Sequence, residues 1–338
     1  MDIIFDSGDY SWLKGKAVLI TGAYGMLASY MVFFMIYLNE IYDYNIKIIS
    51  LSRNSKKFEE RFGIYADKII QISKSVNEPV DINCDYIIHA ASLASPQHYT
   101  VRPIDVILPN ILGTYNLLEL AYAKKAKLLY FSTCSVYGHF KGGGAIVSEN
   151  DYGVLDPLDP HGCYDESKRA GEMLCAAYSR QNKVHTVMAR IAHTYGPTMD
   201  IENDPRVFAS FIKNAVNGEA IEIKSDGSAK RSFCYISDAT TAFFRLLAKG
   251  EFGEAYNVCN AEQTVSIREL GEIISSFAQV DFIFKERSSD EVYLQDKNAN
   301  TSIFKNDKLK ELGVSFDINV EQGFKRVFLY FEKEKSCE

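Results

Sequence analysis

The sequence has no CxxC pair and no cluster of cysteine and histidine residues at the spacing that metal ligands require. Its seven cysteines are odd in number and widely spread along the 338 residues, which does not fit a disulfide framework. Disulfide-bonded secreted domains and structural zinc sites both depend on such patterns. We therefore expect a reducing compartment and no bound metal ion.

The chain also lacks a long apolar run, a basic leader and an excess of basic residues. Its most apolar run, residues 31–38, is shorter than the roughly 20 residues of a membrane span, and we expect a buried helix there. Residues 1–10 carry three aspartates and no basic residue, unlike a secretory signal. A formal net charge of −7 disfavours nucleic acid, which needs a basic face. We expect a cytoplasmic protein that binds neither membrane nor nucleic acid.

Short apolar, β-branched runs alternate with longer helical patterns, and no internal repeat is visible. Strands are predicted over residues 17–21, 47–51, 69–72, 86–89, 127–132 and 184–191. Helices between them include residues 103–123 and 164–180. Apolar strands separated by helices predict a parallel sheet covered on both faces. The expected fold class is α/β, a Rossmann-type doubly wound sheet.

After about residue 192 the pattern changes to short isolated segments, with helices over 206–216, 267–277 and 320–333. This change predicts a smaller C-terminal substrate-binding lobe. In an open α/β sheet the ligand lies beyond the carboxyl ends of the strands, so the lobe should close over that crevice. We expect a dinucleotide-binding domain over residues 12–192 and about 233–259, and a substrate-binding lobe over 193–232 and 260–335.

A glycine-containing turn follows the first predicted strand, with the sequence Thr-Gly-Ala-Tyr-Gly-Met-Leu-Ala from Thr21. Gly22 permits a tight turn, and Gly25 lets the backbone approach a pyrophosphate. The helix that follows offers unpaired N–H groups to the anion at Met26 and Leu27. The alternative is a purely structural turn that binds no ligand, but the order of strand, turn and helix favours a dinucleotide site.

The second predicted strand is followed by Ser52 and Arg53. An NAD-selective site places an acid here to accept hydrogen bonds from the ribose 2′-hydroxyl, whereas a hydroxyl and an arginine suit a 2′-phosphate. The residues therefore favour NADP over NAD, against the alternative of a solvated basic turn.

Tyr164 and Lys168 lie four residues apart on a predicted helix and so share one face. An ammonium held beside the phenol would favour the phenolate and lower the tyrosine pKa toward the working pH. Such a pair alone is commonly a surface coincidence. Thr133, however, ends the fifth predicted strand, where its hydroxyl can bind the substrate oxygen that Tyr164 deprotonates. The three residues together predict a catalytic site.

With these residues in view, the sequence resembles the extended short-chain dehydrogenase/reductase family, and within it the nucleotide-sugar epimerases, dehydratases and decarboxylases. The resemblance covers residues 16–333 and rests on ordered motifs: Thr-Gly-Ala-Tyr-Gly from Thr21, His-Ala-Ala-Ser from His89, Asn-Ile-Leu-Gly-Thr from Asn110, Phe-Ser-Thr-Cys-Ser-Val-Tyr-Gly from Phe131, Cys-Tyr-Asp-Glu-Ser-Lys-Arg from Cys163 and Tyr-Gly-Pro from Tyr195. The segments from Ala94, around Tyr164 and from Asp204 are most similar to UDP-glucuronate decarboxylases.

The resemblance implies an enzyme with tightly bound NAD or NADP, a nucleotide-sugar substrate and a homodimer built on helices near 105–123 and 164–181. By position, it implies that the cofactor contacts are Gly22, Gly25, Ala90, Ala91, Asn110, Tyr164 and Lys168. It also implies that Arg231 and Arg206 grip the substrate phosphates, with a structural salt bridge as the alternative for each. His193 replaces the usual asparagine before Tyr-Gly-Pro, and is either a substrate contact or a polar wall residue.

The residues after Thr133 bear on which reaction follows oxidation at C4 of the sugar. Family dehydratases show Thr-Asp-Glu here and decarboxylases Thr-Ser-Glu, whereas this chain has Cys134 and Ser135, which we place near the substrate. A thiol of ordinary pKa is a poor general acid. We therefore expect a 4-epimerase, with a decarboxylase or 4,6-dehydratase as the alternative. A non-catalytic dinucleotide sensor is disfavoured because Thr133, Tyr164 and Lys168 are all retained.

Overall fold

The computed structural model describes residues 1–140, 145–223, 225–285 and 302–337. The strands of this part of the chain are β1 (Ala17–Thr21), β2 (Lys47–Leu51), β3 (Ile70–Ile72), β4 (Tyr86–His89), β5 (Lys127–Thr133), β6 (Ile146–Val147), β7 (Thr186–Ile191), β8 (His193–Tyr195), β9 (Ile221–Ile223), β10 (Lys230–Tyr235), β11 (Glu254–Val258), β12 (Thr264–Ser266), β13 (Phe282–Phe284) and β14 (Ile303–Phe304).

The main layer is a seven-stranded sheet in the order β11-β7-β5-β4-β1-β2-β3, and every pairing in it is parallel. Strands β1, β5 and β7 are buried over almost their whole length, as expected for strands covered on both faces. The α/β, doubly wound fold is therefore confirmed, with the predicted strands in place to within two residues at each end.

The helices that cover the sheets are α1 (Asp2–Asp6), α2 (Met26–Tyr42), α3 (Ser55–Phe62), α4 (Gln97–Val101), α5 (Pro103–Leu108), α6 (Thr114–Lys124), α7 (Gly162–Asn182), α8 (Val207–Asn217), α9 (Ile236–Lys249), α10 (Ile267–Ala278), α11 (Asp307–Glu311) and α12 (Val320–Cys337). Within the described residues no helix is long and apolar enough to cross a membrane. The apolar run at 31–38 lies inside α2 and is largely buried.

The helix predicted over residues 103–123 contains one irregular turn. A π-helical segment, Pro109–Gly113, separates α5 from α6. The Asn110 side chain donates to the Val106 carbonyl at 3.0 Å, and Thr114 donates to the Asn110 carbonyl at 2.6 Å. These side-chain hydrogen bonds satisfy backbone acceptors that the widened turn frees. The turn also lets Gly113 lie against Val76, where a Cβ atom would come within 2.9 Å.

The C-terminal part of the chain builds a second core beside the first. Strands β8, β10 and β12 form a small sheet, β9 pairs with β13, and α8, α10 and α12 pack together. Stacked Tyr195 and Phe324 rings, with centroids 3.8 Å apart, and the buried Phe233 lie at its centre. Between β10 and β12 the chain returns to the main sheet through α9 and β11, and β11 pairs with β7 at the edge of that sheet.

Candidate active site

A cleft of about 1010 Å³ opens at the carboxyl ends of β1, β4 and β5, and residues of β8 and β10 border its other side. It brings together most of the site residues that the sequence predicted: Gly22, Gly25, Met26, Leu27, Ala90, Thr133, Cys134, Ser135, Tyr164, Lys168, His193, Arg206 and Arg231. Among the described residues, no group of three or more side chains is arranged to hold a metal ion.

The glycine turn at the start of α2 has the shape that a phosphate-binding turn needs. Gly22 has a positive φ of 65°, and a Cβ atom there would lie 2.8 Å from the Cα of Ala91. No side chain in the described part of the chain caps the N-terminus of α2, so its first N–H groups face the cleft without a side-chain acceptor. The turn therefore fits a dinucleotide pyrophosphate.

A buried histidine, whose role the sequence did not reveal, holds this turn in place. His89 at the end of β4 bonds through Nδ1 to the Thr21 hydroxyl at 2.8 Å and through Nε2 to the Pro109 carbonyl at 3.1 Å. Burial lowers the pKa of His89 to about 3, and nearby Lys168 lowers it further. The neutral ring therefore donates from Nε2 and accepts from Thr21, whose oxygen in turn accepts from the Ala91 N–H at 3.1 Å.

Tyr164 and Thr133 meet at one wall of the cleft. Burial raises the pKa of Tyr164, and the neighbouring carboxylate of Asp165 raises it further, while the Thr133 hydroxyl lowers it. The Tyr164 ring stacks on Tyr99 with centroids 5.2 Å apart and planes within 9°. The protein alone therefore does not lower the tyrosine pKa as the sequence led us to expect, because loss of solvation outweighs the effect of nearby charges.

Lys168 lies beneath Tyr164 on the next turn of α7. Its Nζ donates to the Phe131 carbonyl at 2.6 Å and lies 4.8 Å from the centroid of Tyr130 and 5.8 Å from that of Tyr164. Burial lowers the pKa of Lys168 to about 7, an effect that Glu172 opposes. The Lys168 side chain can therefore keep or lose its proton near neutral pH, which suits a residue that exchanges protons with Tyr164.

A buried ion pair fixes the strand end that carries Thr133. Arg190 on β7 donates to Glu172 on α7 through Nε and Nη2, the latter at 2.8 Å, and the Ser132 hydroxyl donates to the same carboxylate at 2.6 Å. Arg190 also donates to the Tyr137 hydroxyl at 3.1 Å. Sequence reasoning missed this network, because its members are far apart in the sequence.

The two residues after Thr133 point in different directions. Cys134 borders the cleft, but its thiol lies 3.3 Å from the Arg190 carbonyl, and burial raises its pKa well above the usual range. The Ser135 N–H donates to the Thr133 hydroxyl oxygen at 3.2 Å, and the two hydroxyls lie 3.3 Å apart. The Cys134 thiol is therefore a weak acid that donates to a backbone carbonyl, and the contact of either residue with substrate stays a prediction.

Two arginines and a neutral histidine lie at the far side of the cleft. Burial lowers the pKa of His193 to about 3, and the charges of Arg231 and Arg206 lower it further. Arg206 also forms an ion pair with Asp204, with Nε 2.9 Å from its carboxylate, so the alternative of a structural salt bridge is observed there. Arg231 donates to the Lys230 carbonyl at 2.8 Å. The positive charge suits an anionic ligand.

Four predicted cofactor contacts do not border the cleft: Ser52, Arg53, Ala91 and Asn110. The Ser52 hydroxyl is buried and bonds to Ser50, whereas Arg53 is exposed. Asn110 is fully buried, and its amide donates to Val106 and to the Ser167 hydroxyl at 2.9 Å. Lys57, which the sequence analysis did not single out as a site residue, does border the cleft. A direct cofactor contact by these four residues stays a prediction.

The parallel sheet, the glycine turn and the cluster of Thr133, Tyr164 and Lys168 are features of a dinucleotide-dependent short-chain dehydrogenase/reductase enzyme. A family model described as the NAD dependent epimerase/dehydratase family matches residues 18–259. The chain belongs to this family, so the resemblance found in the sequence is confirmed and the non-catalytic alternative is set aside.

The relatives lie within the nucleotide-sugar enzymes. UDP-glucuronic acid decarboxylase 1 of Xenopus tropicalis is 30% identical over 322 residues, which is 94% of this chain and 73% of the relative. UDP-glucuronic acid decarboxylase 6 of Arabidopsis thaliana is 34% identical over 275 residues, 79% of this chain and 76% of the relative. UDP-glucose 4-epimerase of Thermotoga maritima, solved with UDP-glucose, superposes with a TM-score of 0.77 at 21% identity, over 95% of this chain and all of that one.

Proposed function

We propose that this enzyme decarboxylates a UDP-linked uronic acid by transient oxidation at C4 of the sugar. The observation that supports this most strongly is the similarity to UDP-glucuronic acid decarboxylases over most of both chains. The 4-epimerase expected from Cys134 and Ser135 becomes the second candidate, because those two residues are its only specific support.

The side chains at the cleft fit the first step of this reaction. Tyr164 would take the proton of the C4 hydroxyl, the Thr133 hydroxyl would orient that oxygen, and Lys168 would share the proton with Tyr164. The nicotinamide cofactor, held at the Gly22 turn, supplies the hydride acceptor. A C4 ketone lies β to the uronate carboxylate, so the carboxylate can then leave as carbon dioxide.

Substrate binding would use the positive side of the cleft. Arg231 and Arg206 would bind the diphosphate of the nucleotide, with neutral His193 near both charges as a hydrogen-bonding wall residue. Asp204 already pairs with Arg206, so this arginine would share its charge between that carboxylate and the diphosphate.

The division into a dinucleotide-binding domain and a substrate-binding lobe, with the boundaries expected from the sequence, is also a proposal. So is a homodimer through helices near residues 105–123 and 164–181. Exposed apolar side chains on these and adjoining helices support it: Val101, Ile104, Leu108, Leu112, Tyr115 and Met173. Apolar clusters of this kind mark interaction surfaces. The cytoplasmic location stays a prediction.

Turnover of UDP-glucuronic acid in deuterated water tests the proposal. We expect release of carbon dioxide and a UDP-pentose that carries deuterium at C5, detected by mass spectrometry and proton NMR. A product of unchanged mass with an inverted C4 and no deuterium would instead establish the 4-epimerase. UDP-glucose serves as the control, because it has no carboxylate to lose.

A further inference from the structure

Asp165, the residue next to Tyr164, borders the same cleft as Thr133 and Ser135. It lies in the first turn of α7 and is half-buried. A carboxyl group is thus present beside Tyr164, although the two positions after Thr133 have none.

The Asp165 carboxylate is not held in place by any side chain of the described residues. In the ranges that the structure describes, it has no hydrogen bond and no ion pair. Arg169, one helical turn further on, donates instead to the carbonyls of Val136 at 2.6 Å and Gly153 at 3.1 Å, and its remaining nitrogen lies 3.7 Å from Glu166. A half-buried carboxylate at a reaction cleft that no described side chain bonds is a candidate for a chemical role.

Charged and titratable groups of α7, α4 and the loop before α7 interact with Asp165. Burial raises its pKa to about 7; Arg169 lowers it, while Glu166 on α7 and Asp159 in the preceding loop raise it. Tyr99 on α4 and Tyr164 also interact with it electrostatically. A substantial fraction of Asp165 is therefore protonated at neutral pH, as a general acid must be.

We propose that Asp165 is the general acid that protonates C5 of the sugar after carbon dioxide leaves, in place of the carboxyl group missing at Ser135. This role rests on the proposed decarboxylation. It accounts for a chain that resembles the decarboxylases but lacks their Thr-Ser-Glu sequence. It also removes the reason for expecting an epimerase, because the acid sits on α7 rather than at the end of β5.

The step balances as follows. After C4 has become a ketone, the C5–C6 bond breaks and its electron pair passes to C5 and the C4 oxygen as an enolate. The Asp165 hydroxyl gives its proton to C5, and water reprotonates the carboxylate. Return of hydride to C4 and of the Tyr164 proton to its oxygen completes the turnover. One carbon dioxide leaves and one proton is taken up.

The test compares the parent enzyme with Asp165→Asn, which keeps the shape of the side chain and removes the acid. On mixing with UDP-glucuronic acid, the variant should still reduce its cofactor, seen as absorbance at the reduced-nicotinamide band. Its formation of UDP-pentose should fall by about 10²- to 10⁴-fold, the usual contribution of a general acid. Adding Ser135→Glu to Asp165→Asn should restore about tenfold or more of this loss.

Glu166→Gln is the matched control, because it removes a carboxylate from the same helical turn that does not border the cleft. Since Glu166 raises the pKa of Asp165, this variant should keep parental turnover at low pH and lose it at a lower pH than the parent does. The parent rate should fall as pH rises above the Asp165 pKa, since the proton is then lost, and this limb should be absent in Asp165→Asn. Parental turnover in Asp165→Asn, or loss of cofactor reduction together with turnover, would overturn the role. A parent that releases no carbon dioxide would instead overturn the decarboxylation and the role with it.

Discussion

The buried Glu172–Arg190 pair gives the sharpest stability prediction. Both side chains are about nine-tenths buried, with 12% and 9% exposure, and the carboxylate accepts hydrogen bonds from Arg190 and Ser132. In Glu172→Gln the side-chain amide keeps one hydrogen-bond acceptor but places an N–H donor against the guanidinium. The amide is also neutral, so the Arg190 charge stays buried without a counter-ion. Removing one partner of such a pair typically costs about 3–5 kcal/mol, so we expect a loss of about 3 kcal/mol, or roughly a hundredfold in the folding equilibrium.

The loss of stability can be measured through the fluorescence of Trp12, the single tryptophan of the chain. Its ring packs against Tyr86 of the main sheet, with the ring centroids 5.0 Å apart. Urea unfolding followed by its fluorescence reports on the part of the molecule that contains the pair. The control is Glu60→Gln, which breaks an exposed pair with Lys56 and should cost under about 0.5 kcal/mol.

A double variant separates the two explanations of the loss. If the cost arises from an uncompensated charge, Glu172→Gln combined with Arg190→Gln should be more stable than Glu172→Gln alone, because no charge then remains buried. A Glu172→Gln protein within about 1 kcal/mol of the parent would refute the reasoning. So would a double variant whose losses simply add.

The remaining predictions concern the cleft. Gly25→Val should abolish cofactor retention, measured by absorbance of the purified protein, because the side chain blocks the backbone's approach to the pyrophosphate. Calorimetry should show tighter binding of NADP than of NAD, with Arg53→Ala reversing the order; tighter NAD binding by the parent would contradict this. Tyr164→Phe should lose turnover by 10²-fold or more with parental unfolding midpoints. Stability should fall as pH drops from about 6.5 toward 3, because folded His193 stays neutral while the unfolded chain takes up a proton. His193→Gln should reduce this slope without removing it, because buried His89 also stays neutral in the folded protein.

The sequence allowed the strand ends and the residues on them to be placed, because parallel strands deliver their carboxyl ends to one edge. Thr133 reaches the cleft by this rule, and Tyr164 reaches it from the first turn of α7. The inward turn of the Cys134 thiol and the π-helical segment around Asn110 could not be read in the same way. Both depend on hydrogen bonds with partners that the fold supplies, such as the Arg190 carbonyl and the Ser167 hydroxyl. Local patterns carry no information about such distant partners.

The charges of the cleft also constrain the order of events in the proposed reaction. Arg206 and Arg231 bring positive charge to one side, whereas the one cation of the described residues that acts on Asp165 is Arg169, which donates to backbone carbonyls. A uronate carboxylate brought near Tyr164 would repel an ionised Asp165, and like charges raise a carboxyl pKa. Substrate binding would therefore draw a proton onto Asp165 before oxidation begins. A neutral sugar such as glucose would not have this effect, so the proton needed at C5 arrives with the substrate that will lose carbon dioxide.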